Sequence, residues 1–176
     1  MKKLLATILA LVMALSLCSV AWATGEYTPL PDAVNDTITL TKDVTFSGDA
    51  TLNLTGKTVE TKGYTITVAS GTVSITGGKF VNETEGVTTK GSEEPHGILA
   101  VNSGATLNIT NASLETKAYQ PLTVEGTCNS VGTTYKCTVA NDKYDSKVMI
   151  SVKGSAAYLN MPSGSVEMVA SESASD

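Results

Sequence analysis

The chain has 176 residues, 12 Lys plus Arg against 17 Asp plus Glu, a formal net charge of −5 and 41% hydrophobic residues. It contains no Arg, so the clustered cations that neutralise nucleic acid or anionic lipid are missing, and both partner classes are disfavoured. The length allows one domain with a real core, and the acidity reads as solubility.

At the N-terminus Lys2 and Lys3 precede an apolar run from Leu4 to Leu17, and Ala21-Trp22-Ala23 then supplies the small-x-small pattern that signal peptidase cuts. The run of 14 residues suits a signal peptide and is shorter than the ~20 apolar residues a bilayer-crossing helix needs. Leu17 before Cys18 departs from a lipoprotein signal. A signal peptide over 1–23 is therefore expected, with no transmembrane anchor, on a bacterial protein that is secreted, either released or held at the cell surface by partners. The remainder carries 10 Lys against 17 Asp plus Glu, a net charge of about −7. Residues 24–36, with Pro29 and Pro31, read as an N-terminal segment or cap.

From Thr37 onward Thr alternates with Val, Ile or Leu, as in Ile38 and Leu40, Ile66 and Val68, and Val148, Ile150 and Val152. Such residues favour a pleated, half-buried strand, and no apolar period of 3.6 is sustained. A five-residue unit recurs: Thr51-Leu52-Asn53-Leu54-Thr55, Thr72-Val73-Ser74-Ile75-Thr76, Thr106-Leu107-Asn108-Ile109-Thr110 and, more loosely, Tyr158-Leu159-Asn160-Met161-Pro162. The gap between the last two predicts one further, degenerate copy, best matched by Lys136-Cys137-Thr138-Val139-Ala140. Stacked in register, these units put Leu52, Val73, Leu107 and Leu159 in one inward column and Asn53, Ser74, Asn108 and Asn160 in an outward one.

A unit of strand, turn, strand, turn and strand is one coil of a β-helix. The expected fold is all-β, a short parallel β-helix of about five coils over 37–168, with inserted loops at 82–95 and 127–135 and a polar tail at 169–176. An antiparallel β-sandwich is the alternative. Against it, one pentad recurs where sandwich strands would differ, and Trp22 in the leader is the only Trp.

Ile66-Thr67-Val68-Ala69-Ser70-Gly71-Thr72-Val73-Ser74-Ile75 and Val101-Asn102-Ser103-Gly104-Ala105-Thr106-Leu107-Asn108-Ile109 resemble the coils of bacterial pectate-lyase-like β-helix proteins. The resemblance covers roughly Thr37 to Met168 and implies a right-handed coil. Enzymes of that type act on acidic polysaccharides with an Arg or Lys base and calcium ligands, or with clustered carboxylates. This chain departs from the lyase pattern in having no Arg, and no pair of its acids recurs one coil apart.

Cys128 and Cys137, with eight residues between them, predict one local disulfide in an oxidising compartment, with a pair of thiols as the alternative. They offer no zinc site, since two further Cys or His ligands are missing. His96, beside Glu93 and Glu94, reads as an exposed loop residue, because no nucleophile or orienting group is near it. Asn141, Asp142 and Asp145 read as a solvated turn, since the Gly and terminal Glu of a calcium loop are absent. Tyr119, Tyr135 and Tyr144 bracket the cysteine loop and are the candidate ligand-binding residues, because sugar rings stack on exposed aromatic faces. No catalytic, cofactor-binding or metal-binding residue is assigned. The expected function is a non-enzymatic extracellular binding module for a glycan or a surface partner. The alternatives are a polysaccharide-active enzyme or its remnant, and an assembly subunit that self-associates through its β-helix ends.

Overall fold

The structure, a computed structural model, describes residues 30–84, 97–117, 120–140 and 149–171. The expected signal peptide at 1–23, His96, Tyr119, Tyr144 and the group Asn141, Asp142 and Asp145 lie outside the described residues. Among the described residues the regular elements are all strands: β1 (Thr37–Thr39), β2 (Val44–Ser47), β3 (Ala50–Asn53), β4 (Thr58–Glu60), β5 (Ile66–Ser70), β6 (Thr72–Thr76), β7 (Lys79–Asn82) and β8 (Leu99–Val101) come first. They are followed by β9 (Thr106–Thr110), β10 (Ser113–Thr116), β11 (Leu122–Val124), β12 (Thr127–Val131), β13 (Thr133–Ala140), β14 (Ile150–Val152), β15 (Tyr158–Asn160) and β16 (Gly164–Ser171).

Every third strand joins the same sheet. The first sheet runs β1-β4-β7-β10-β13-β16, the second β2-β5-β8-β11-β14 and the third β3-β6-β9-β12-β15. All neighbours within the sheets are parallel, while one isolated antiparallel bridge joins Val34 and Thr37. Three parallel sheets visited in rotation are a β-helix, here of five coils after β1, and a sandwich is not favoured.

Alternation decides what lies inside. In β9 the apolar Leu107 and Ile109 are buried, while Thr106, Asn108 and Thr110 between them stay half-exposed. In-register stacking at ~4.8 Å turns each inward position into a column. The second sheet stacks Val44, Ile66, Leu99, Leu122 and Ile150 beside Phe46, Val68, Val101, Val124 and Val152. The first sheet stacks Ile38, Val59, Phe80, Leu114, Tyr135 and Val166. Burying each such side chain stabilises the fold by about 1.5–3 kcal/mol relative to exposure.

The corner between the third and first sheets needs a left-handed residue in every inner coil, and Gly77 (φ 69°), Asn111 (φ 53°) and Gly132 (φ 63°) supply it. Asn, like Gly, tolerates this region at low cost. Gly71 is required for a second reason, because a Cβ there would lie 2.6 Å from the Gly48 carbonyl carbon of the coil below.

The register corrects the expected columns. Ala50 pairs with Val73 and Leu52 with Ile75, so the inward column is Ala50, Val73, Leu107, Cys128 and Leu159, and Leu52 belongs to its neighbour with Ile75, Ile109 and Ser130. The outward column is likewise Thr51, Ser74, Asn108, Asn129 and Asn160, while Asn53 pairs with Thr76. The side chain of Asp49 accepts from the Thr72 amide at 2.7 Å, which locks the first coil two residues earlier than its Thr-Leu-Asn-Leu-Thr wording suggests.

The degenerate pentad is Thr127-Cys128-Asn129-Ser130-Val131, which forms β12. Lys136 to Ala140 belongs instead to β13 in the first sheet. The segment 127–135 is thus not an inserted loop but strand, turn and strand, because Cys128, Ser130 and Tyr135 fill the inward positions that apolar residues fill elsewhere. The other expected insertion, 82–95, begins on Asn82, the last residue of β7, and lies mostly outside the described residues.

Candidate functional site at the C-terminal coil

The two ends of the coil differ. At the N-terminal end Ile38, Leu40, Val44 and Phe46 are all buried, and Leu30 packs against them; β3 is the least covered part, with Ala50 and Leu52 half-buried. At the other end the inward columns continue into β14, β15 and β16 with no coil above them among the described residues. Val152, Val166 and Met168 are 47%, 44% and 40% exposed, although Val124, Tyr135 and Cys137, one coil below in the same columns, are 0% exposed. Ile150, Leu159 and Met161 are only partly buried.

Both ends of the coil leave backbone edges unpaired among the described strands, but β1, β2 and β3 run only three, four and four residues. β16 runs eight residues and pairs with β13 along its whole length. Its other edge is a row of amide and carbonyl groups that no described strand pairs, a template for strand addition. The charges on the described part of this coil are one cation, Lys153, and one anion, Glu167, whose carboxylate lies 3.7 Å from Lys136.

The outer face of the third sheet is of another kind. Asn129 donates through Nδ2 to Asn108 Oδ1 at 2.9 Å, and Asn108 Nδ2 donates to Ser74 Oγ at 3.4 Å. Asn160 follows Asn129 in the same column by register, two residues from Tyr158, which is 57% exposed and whose register partner is Thr127. In the sequence Tyr158 opens a pentad and looks like a repeat residue; its place where the other copies carry Thr is the signal that sets it apart.

The outer face of the first sheet carries ion pairs instead. Lys62 Nζ lies 2.9 Å from Glu60, which Thr39 also approaches, and Lys79 Nζ lies 2.8 Å from Glu115. Lys62 holds the Glu60 carboxyl below its ordinary range, and Lys57 does the same for Asp36. Among the described residues no three His, Cys, Asp or Glu side chains gather closely enough to hold a metal ion, and no helix is long and apolar enough to cross a membrane.

Of the three sequence-predicted ligand-binding residues, Tyr135 alone lies among the described residues. Tyr119 and Tyr144 fall outside the described residues. Tyr135 is completely buried and shares a 2.9 Å hydrogen bond between its Oη and Ser130 Oγ, so it offers no face to a ligand. Burial pushes its phenol well above the ordinary tyrosine range, against the opposing effect of the Ser130 hydrogen bond.

The predicted disulfide is also absent: Cys128 and Cys137 are buried thiols. The reason is topological, since the Gly132 corner places Cys128 on the third sheet and Cys137 on the first, each serving as a filler of its own inward column. Burial pushes the Cys128 thiol up to about 12 and that of Cys137 to about 11. Thiols so held are poor nucleophiles.

No family model matches the chain, and neither the curated proteins nor the solved structures contain a match.

Proposed function

We propose that the chain is an exported, non-enzymatic β-helical module that assembles through its C-terminal coil, with a second copy of itself as the partner. The basic, apolar and small-residue leader over 1–23 supports export. The observation that carries assembly is the exposure of Val152, Val166 and Met168 at one end of columns that are sealed at the other. Water contact on these side chains and an unpaired edge on β16 are both relieved by the same event, the addition of a strand.

The second copy is favoured over a head-to-tail stack because the inward columns that end in Val152, Val166 and Met168 begin in the buried Phe46, Ile38 and Leu40, and Val34, the exposed apolar side chain of the opposite end, lies before the first strand and outside those columns. The surface that matches it is therefore the same surface, related by a two-fold axis, which is the commonest symmetry of soluble oligomers. The pectate-lyase-like resemblance lies in the coil pattern, and it carries no catalytic set onto these residues.

Sedimentation across a concentration series tests the proposal. Dimer is expected at high concentration for the unaltered protein and monomer throughout for Met168→Lys, with Lys79→Gln on the first-sheet face left dimeric. A monomer at all concentrations, or a dimer indifferent to Met168→Lys, overturns it.

A further inference from the structure

The third sheet turns one neutral face outward. Its strand positions there are Thr72, Thr106, Thr127 and Tyr158 in one column, Thr51, Ser74, Asn108, Asn129 and Asn160 in the next, and Asn53, Thr76, Thr110 and Val131 in the third. None is charged, whereas the first sheet's outer face is laced with Lys–Glu pairs. Stacking in register accounts for the Thr and Asn, which recur from coil to coil. It does not account for Tyr158, a large amphipathic ring left 57% exposed where the coils below carry Thr.

From this juxtaposition we infer that Tyr158, with Asn160, Asn129 and Thr127, forms a binding site for a neutral carbohydrate. The exposed ring supplies an apolar face on which the axial C–H groups of a pyranose stack. The amides supply what a sugar's neighbouring hydroxyls require, a donor and an acceptor on one planar group. Asn129 spends its Nδ2 on Asn108, which fixes the amide plane and leaves Oδ1 with accepting capacity beside Asn160. Part of the ordering cost of binding is thereby met before the ligand arrives.

Neutrality of the ligand follows from charge. The face has no cation to pair with a uronate, Glu125 stands at the corner two residues before Thr127, and the chain as a whole has a net charge of −5. An acidic polymer is repelled where a neutral one is not. The site lies on the outward side of β15, so it remains open when strands add to the coil end.

Calorimetric titration with cellohexaose, xylohexaose and mannohexaose, beside a galacturonate hexamer, tests the inference. At least one neutral hexamer is expected to bind and the acidic one not to. Tyr158→Ala is expected to weaken binding roughly tenfold, Tyr158→Phe to keep most of it because the ring stacks, and Asn129→Ala to weaken it less. Tyr64→Ala, on an exposed tyrosine elsewhere, should change nothing. Circular dichroism confirms that each variant is folded. Repeating the titration on Met168→Lys separates this site from the assembly interface, since binding is expected to survive loss of the dimer. Absence of binding to all three neutral hexamers, stronger binding of the galacturonate, or indifference to Tyr158→Ala overturns the inference.

Discussion

Leu107 and Leu159 occupy the same inward column, and replacing each by Ala measures how far the core extends toward the open end. Leu107 is 0% exposed, with Val73 on one side and Cys128 on the other. A buried Leu→Ala change costs 2–5 kcal/mol, depending on how far the cavity can collapse. Backbone pairing on both sides fixes the coil spacing, so collapse is small and about 3–4 kcal/mol is expected. Leu159 has a neighbour only below, Cys128, and is partly exposed already, so about 1 kcal/mol is expected. Urea unfolding of dilute protein followed by far-UV circular dichroism reads the difference as a shift in midpoint at constant slope. Equal losses at the two positions, or the larger loss at Leu159, would refute the reasoning that the columns end in solvent.

Other expectations follow from the interior of the fourth coil and from the corner of the third. Native protein should leave both Cys128 and Cys137 unmodified by a thiol reagent and yield both thiols on unfolding without reductant; one disulfide in the unfolded sample would contradict the packing described. Folded thiols raised to about 12 and 11 stay protonated where unfolded ones near 9 ionise. Their contribution to stability is therefore full below pH about 9 and lost above it, at up to about 1.4 kcal/mol per pH unit for each thiol. Cys128→Val should flatten that alkaline slope in urea titrations, and an unchanged slope would remove the thiol as its cause. Tyr135→Phe strands the Ser130 hydroxyl in the core and should cost about 1–3 kcal/mol; a neutral result in the same urea assay would mean that the hydroxyl finds another partner. Asn111→Gly should leave stability nearly unchanged and Asn111→Ala should lower it by about 1 kcal/mol, and an ordering of Ala above Gly would deny the left-handed corner.

The coil architecture was legible because alternation and the recurring pentad encode the same thing, an inward column flanked by hydroxyls. Register was less so. Ala50, Leu52 and Leu54 alternate without a break, so a slip of two residues still points apolar side chains inward, and the observed setting is marked instead by the Asp49 carboxylate on the Thr72 amide, by Gly48 beneath Gly71 and by the register shift between Phe46 and Ser47. The fourth pentad was hidden because Cys128 and Ser130 replace Leu or Ile at inward positions, a substitution made possible by Tyr135, which reaches across the corner to satisfy Ser130. Reading two nearby cysteines as a staple then turned strand into loop. The site suffered from the same cause: Tyr135 resembled a loop aromatic once its strand was missed, and Tyr158 resembled a repeat residue. Exposure at the end of a solenoid depends on what stacks above each coil, which is a property of the assembled columns and not of any one segment.

Amide hydrogen exchange at low and high protein concentration tests most directly whether the C-terminal coil is the assembly surface. The account predicts that exchange slows with concentration in β16 and in the adjoining β14 and β15, while β2 and β3 at the opposite end are unchanged. Protection that grows instead at β2 and β3, or that nowhere depends on concentration, would contradict it.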